Sequence, residues 1–147
     1  MKITSPWGTT VEYEDLSNGR VRLDKTWAKN NIVKINIPLF WKDYWVHKSI
    51  VNPLCSALRE LDNENFRKYL KTFDGCYNPR HINSDIKRPL SLHTWGIAID
   101  INASTNPIGH VSNQHPFVVK TFKKWGWAWG GDWKGVRDPM HWEYRPR

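Results

Sequence analysis

The sequence predicts an α+β fold: a small antiparallel sheet packed against about three helices. Three observations carry this. Alternating apolar residues mark short strands, most clearly at Ile97, Ile99 and Ile101. Helical apolar spacing marks Leu54, Ala57, Leu58 and Leu61. The strand and helix segments do not alternate regularly, which argues against a doubly wound sheet.

The elements follow in chain order. Val11-Glu12-Tyr13 and Val21-Arg22-Leu23 flank the turn dipeptide Asn18-Gly19, a hairpin pattern. From Ile32 to Ile37, Val33, Ile35 and Ile37 share one side and Lys34 and Asn36 the other, so a half-buried strand is expected. Aromatics cluster next at Phe40, Trp41, Tyr44 and Trp45. A helix follows, either capped by Asn52 with Pro53 at its first helical position, or beginning near His47 with a kink at Pro53. A second short helix from Asn63 would carry Phe66, Tyr69 and Leu70. Residues 78–90 read as loop.

A strand is expected after Gly96. Ser112 or Asn113 can cap a helix from about His115 to Trp125, closed by Gly126. The segment from Trp127 to Tyr144 reads as strand, glycine turn, strand. Trp125, Trp127 and Trp129 are expected to be core and pocket wall rather than a sugar-stacking face.

The chain has 147 residues, and one domain spanning 1–147 with no linker or second module is expected. Ten tryptophans, five tyrosines and five phenylalanines supply bulk for a core. The formal net charge of +8 favours an anionic partner: nucleic acid, membrane surface or cell wall. No apolar run is long enough to cross a bilayer, so no membrane insertion is expected, and the first residues lack the apolar stretch of a signal peptide. No recognised nucleic-acid motif accompanies the charge, so no nucleic-acid partner is expected. Cys55 and Cys76 are expected to be free thiols.

The chemistry concentrates in two strings, Ser91-Leu92-His93-Thr94-Trp95-Gly96-Ile97-Ala98-Ile99-Asp100 and Asp138-Pro139-Met140-His141-Trp142-Glu143. On a strand after Gly96, Asp100 points away from the apolar layer entered by Ile99 and Ile101. His141 and Glu143 share a face of a final strand, with Trp142 opposite. If the two strands are neighbours, His93, Asp100 and His141 make a three-ligand metal site with one position left for water. By residue type alone, a chance His, Asp and His triple is an equal alternative in a chain with six histidines. His47, His81, His110 and His115 fit no such pattern and are expected to be surface or cap residues.

The 91–100 string resembles the signature of the D-alanyl-D-alanine carboxypeptidase and L-alanyl-D-glutamate endopeptidase family of zinc peptidases, which includes vancomycin-resistance carboxypeptidases and small phage endolysins. Asp100-Ile101-Asn102, Asn106-Pro107, the run Gly126 to Trp133, and Asp138 to Glu143 resemble further family segments, in order. The resemblance covers roughly 75–144; the first 45 residues carry no motif. It implies the family's fold, in which a small antiparallel sheet bears the metal. It implies Zn2+ as cofactor, held by His93, Asp100 and His141. It makes Asp138 the catalytic carboxylate; some relatives carry Glu there, and Asp resembles the endolysin branch. Arg80 resembles the arginine that stabilises substrate charge, and Ser91 the serine that contacts substrate. Glu143 is a rival base, or a residue that orients a ligand by hydrogen bonding.

The resulting expectation is a zinc metallopeptidase cutting peptidoglycan stem peptides, acting as a monomer at the bacterial cell wall. An L-alanyl-D-glutamate endopeptidase of phage endolysin type is favoured over a D-alanyl-D-alanine carboxypeptidase. A non-catalytic wall-binding module is the alternative of another class; retention of Asp138 speaks against it.

Overall fold

The computed structural model describes residues 1–146 and contains three antiparallel sheets and three α-helices. The first sheet joins β1 (Lys2–Thr4), β2 (Thr10–Asp15) and β3 (Val21–Leu23). Asn18 takes a left-handed φ of 61° in the turn between β2 and β3, as the Asn-Gly signal leads one to expect. α1 (Lys25–Asn31) follows, with the Asp24 carboxylate accepting from the Trp27 amide at 3.1 Å. The sequence pattern does not announce α1, because none of its residues is buried and it shows no apolar stripe.

β4 (Ile32–Ile37) and β5 (Lys42–His47) form a hairpin. The expected alternation holds for Ile35 and Ile37 but not for Val33, which is exposed, while Ile32 on the opposite phase is buried. The reason is that both hairpin faces are partly covered: the main core lies on one, and the Trp7, Trp27 and His47 rings gather near the other. Of the aromatics here, Phe40 and Tyr44 pack on Phe73, whereas Trp41 and Trp45 stay exposed.

α2 (Val51–Asn63) begins two residues before Pro53, preceded by a 3-10 turn at Lys48–Ile50 that the His47 ring caps through the Ser49 amide. The α-helix therefore starts between the two expected points: Asn52 lies inside it rather than capping it, and Pro53 is two residues from its start rather than a mid-helix kink. Pro53 sits in the first turn, where its missing N–H has no intrahelical partner to lose. Leu54, Ala57, Leu58 and Leu61 are all fully buried. The helix expected from Asn63 is only a 3-10 turn at Arg67–Tyr69. Asn65 at φ 65° breaks the helical path before it.

The third sheet runs β6-β7-β9-β8, from β6 (Phe73–Gly75), β7 (Ala98–Ile101), β8 (Ala128–Trp129) and β9 (His141–Glu143). α3 (Pro116–Lys124) is capped by the His115 ring, which accepts from the Phe117 amide at 3.0 Å, rather than by Ser112 or Asn113. Pairing of β7 with β9 sets Ile99 opposite Trp142 and Asp100 opposite His141. Side chains alternate between faces along each strand. Ile99, Ile101 and Trp142 therefore enter the core with Leu54, Leu58, Leu61 and Phe122. Asp100, His141 and Glu143 face the other way. Trp127 is core, and Trp129 stacks on Trp142 at 5.6 Å.

Two buried asparagines fasten this sheet. Asn102, at φ 56°, accepts from the Lys71 and Thr72 amides and donates to Tyr69 O and Gln114. Asn106 donates to Asn102 O and accepts from the Asn113 amide. Both lie in segments that the family resemblance singles out, and their work here is to satisfy loop backbone. Cys55 and Cys76 are free, as expected. No helix among the described residues is long and apolar enough to cross a membrane.

Candidate metal centre

His93 sits in a 3-10 turn, Leu92–Trp95, between Arg80 and the start of β7. The Ser91 hydroxyl oxygen accepts the His93 amide at 3.2 Å and fixes the turn. The ring is 3% exposed, and its Nδ1–H donates to the Cys76 carbonyl at 2.7 Å. That bond leaves Nε2 turned to Asp100 Oδ2, 3.2 Å away. His141 is arranged in mirror sense. Its Nε2 faces Glu143 Oε1 at 3.2 Å, and its Nδ1 lies 3.6 Å from Asp100 Oδ1. The second Glu143 oxygen accepts from Arg145 Nε at 2.7 Å.

Each of these two rings thus spends one nitrogen on an outer acceptor and turns the other toward one carboxylate. One ligand atom from each of His93, Asp100 and His141 lies within 4.8 Å of the others. The 3.6 Å separation between His141 Nδ1 and Asp100 Oδ1 is too long for a hydrogen bond. Two imidazole nitrogens and a carboxylate oxygen are the donor set of a zinc site, and outer acceptors that fix each tautomer are its usual support. The residues fit a divalent cation.

The local electrostatics agree. Burial would raise the Asp100 carboxyl, but the His141 and His93 rings outweigh it and hold it well below the usual carboxylate range. Burial would lower His141, but Asp100 and Glu143 outweigh it and lift the ring to about 9. Burial would likewise raise Glu143, yet His141 and Arg145 keep it below its ordinary value. The cluster is built to hold positive charge.

Asp138 stands beside this centre. Burial pushes its carboxyl up, against the opposing pull of His141. Its Oδ1 is buried with no hydrogen-bond partner. Its backbone is fixed at both ends: Asp138 N donates to Gly130 O at 3.0 Å, and Asp138 O accepts from the His141 amide at 3.1 Å. A side chain at 130 cannot be tolerated, since a Cβ there would stand 2.3 Å from Asp138 O. The glycine turn therefore positions the carboxylate.

An open cleft of about 780 Å³ joins these groups. Arg80, Arg88, Ser91, Trp133, Asp138 and Arg145 line it together with the three candidate ligands. All the site residues expected from the sequence are thus brought to one cleft: His93, Asp100, His141, Asp138, Arg80, Ser91 and Glu143. Glu143 Oε1 faces His141 Nε2 at 3.2 Å, on the side of that ring away from Asp100.

Sequence reasoning missed Thr94, whose hydroxyl accepts from the Arg80 amide and donates to Arg80 O, holding the Arg80 backbone beside the cleft. It also missed the Cys76 carbonyl; a backbone acceptor leaves no signal in residue type. Two histidines expected to be surface or cap residues are buried, although His47 does serve as a cap. His47 is 3% exposed, stacked on Trp7 at 4.2 Å as well as capping the 3-10 turn before α2. His81 is 6% exposed, bridging Asp15 and Arg88. His110 is exposed and His115 is a cap, as expected.

No solved structure matches the chain. A family model does: residues 84–144, which carry all three candidate ligands, Asp138 and Glu143, match the family described as D-alanyl-D-alanine carboxypeptidase. The part of the chain that bears the site is therefore similar to D-alanyl-D-alanine carboxypeptidases.

Proposed function

We propose that the protein is a zinc-dependent peptidase that hydrolyses peptidoglycan stem peptides, and that it is an L-alanyl-D-glutamate endopeptidase of the phage endolysin kind. The observation that carries the reading is the convergence of His93 Nε2, Asp100 and His141 Nδ1 beside the buried, unpartnered Asp138 Oδ1. His93, Asp100 and His141 would hold the ion. When bound, zinc supplies a Lewis acid for the peptide carbonyl and acidifies water toward a pKa of about 7.

The remaining work falls to side chains. Asp138 accepts the proton of the attacking water at its carboxylate and delivers it to the leaving amine nitrogen. Arg80 presents a permanent positive charge at the cleft, suited to a substrate carboxylate or a developing oxyanion. Ser91 spends its hydroxyl oxygen on the His93 amide and keeps its O–H for substrate. Glu143, braced by Arg145, orients the His141 ring.

The +8 charge would concentrate the enzyme on the anionic wall. Residues of all three sheets enter one apolar core, which supports reading the chain as one catalytic unit; a monomer working at the cell wall is the form proposed. The second reading, removal of terminal D-alanine, is favoured by the description of the matching family. Mass spectrometry of digested peptidoglycan separates them. New D-glutamate N-termini are expected; release of free D-alanine alone would establish the carboxypeptidase, and intact peptides with zinc present would overturn both.

A further inference from the structure

The cleft rim between Arg80 and Leu90 is an excursion closed by the His81–Leu90 bridge and by the Ile82 amide donating to Pro89 O at 2.9 Å. It rests on the β2–β3 hairpin, part of the N-terminal region that carries no family motif. Val21 N donates to Pro79 O, His81 N donates to Gly19 O, and Arg20 bridges Arg80. The fit is close: a Cβ at Gly19 would lie 1.9 Å from Ser84 O.

One side chain crosses this junction. The His81 ring places Nε2 at 2.7 Å from Asp15 Oδ1 on β2, and Nδ1 at 2.6 Å from Arg88 O on the rim. A carbonyl oxygen only accepts, and so does an ionised carboxylate. Two acceptors on one ring require two N–H donors, and only the imidazolium has them. The metal-site rings also face two acceptors each, but there a shared centre with a third ligand can supply the positive charge. Among the described residues His81 belongs to no such cluster, so its positive charge must be a proton. The charged neighbours are Asp15 from β2, Asp85 and Arg88 from the rim, and Arg80, whose Nη1 donates to His81 O at 3.5 Å. The hydrogen bond to Asp15 is the main cause that lifts His81 above its ordinary value, against desolvation.

We infer that His81 is a positioning residue: as an imidazolium it ties the cleft rim, residues 82–90, to the N-terminal hairpin, so that the hairpin fixes where Arg88 and Arg80 meet the substrate. A neutral ring donates to only one of its two acceptors. Deprotonation therefore releases either the rim or the hairpin. The catalytic consequence rests on the proposed peptidase reading; the ionisation and the latch do not.

Ring 15N NMR on the metal-free full chain tests the latch, with His81→Gln used to assign the resonance. Both ring nitrogens should be protonated at about pH 6.5, the ordinary histidine value, and the midpoint should lie above that. Asp15→Asn should lower the midpoint by about one unit or more. As wild type passes its midpoint, amide exchange at Ile82, Asp85 and Arg88 should accelerate about tenfold beyond the intrinsic pH effect. A single protonated nitrogen at about pH 6, or rim exchange indifferent to the ring's titration, would overturn the inference; if His81→Gln fails to fold, through-bond correlation from the His81 backbone in wild type assigns the ring instead. With stem-peptide substrate above the midpoint of Asp15→Asn, that variant should raise KM several-fold and change kcat less than about twofold. Loss in kcat alone would contradict positioning. Absence of peptidase activity in wild type would count against the functional reading and leave the NMR result on His81 standing.

Discussion

Asp100 and His141 stand directly opposite each other in the β7–β9 register, and the His141 Nδ1 lies 3.6 Å from the Asp100 carboxylate. Antiparallel pairing alone thus brings together two groups that are forty-one positions apart (141 − 100). His93 arrives from the turn just before β7, so two of the three groups depend on a single strand. A slip of one residue in this pairing would bury Asp100 and expose Ile99. The apolar layer of Ile99, Ile101 and Trp142 therefore protects the site's geometry from the opposite face.

Asp138 is expected to act on the proton and not on the metal. Asp138→Ala should retain a full equivalent of zinc while kcat falls by about 10²–10⁴. Metal analysis beside steady-state kinetics checks this. Loss of zinc in Asp138→Ala, or unchanged turnover, would reassign the residue.

Glu143 is expected to act through His141. Removing its carboxylate frees the ring to rotate, so Glu143→Ala should weaken zinc binding by about 10–100-fold. Competition with a chromophoric chelator measures it. Turnover at saturating zinc should recover most of its wild-type value, which separates orientation from proton transfer.

Leu58 is fully buried on the core face of α2, beneath the site-bearing sheet. Leu58→Ala removes its contacts and leaves a cavity, costing about 2–5 kcal/mol. A urea melt followed by tryptophan fluorescence gives the value. A loss under about 1 kcal/mol would show that the α2–sheet packing is not as described.

His47 gives stability a pH dependence of definite sign. Burial, then the Lys48 charge, depresses the ring from 6.5 to about 4. The unfolded chain therefore binds the proton first as pH falls. The contribution is complete above pH 6.5 and is lost progressively down to about 4. His81 carries the opposite sign: its raised value adds stability below 6.5 that disappears as pH rises through the folded value. Denaturation across pH 4 to 6.5 should show a shallower loss in His47→Gln than in wild type. Parallel curves would place His47 in solvent.

The candidate site was legible because its signal is local and because the family resemblance singled out the two strings that carry it. His93 and Asp100 lie on one turn-strand unit, Asp138, His141 and Glu143 on another, and alternation assigns their faces. Strands β4 and β7 and helices α2 and α3 were legible for the same reason. What the sequence does not reveal is contact at a distance. His81 meets Asp15 across sixty-six positions, and nothing in either neighbourhood announces the other. Asn102 reads as an ordinary polar residue until the backbone and side-chain partners around it are in place. α1 escaped because Lys25–Asn31 is held by its Asp24 cap and not by an apolar face. The helix anticipated from Asn63 failed because aromatic spacing at Phe66 and Tyr69 does not register the left-handed turn at Asn65.

Anomalous diffraction at the zinc edge from zinc-soaked crystals is the most direct test. One strong peak is expected, bonded at about 2.0–2.2 Å to His93 Nε2, His141 Nδ1 and an Asp100 oxygen, with the fourth position facing the cleft. A map with no peak among these three side chains, or a peak held by other residues, would contradict the proposed centre.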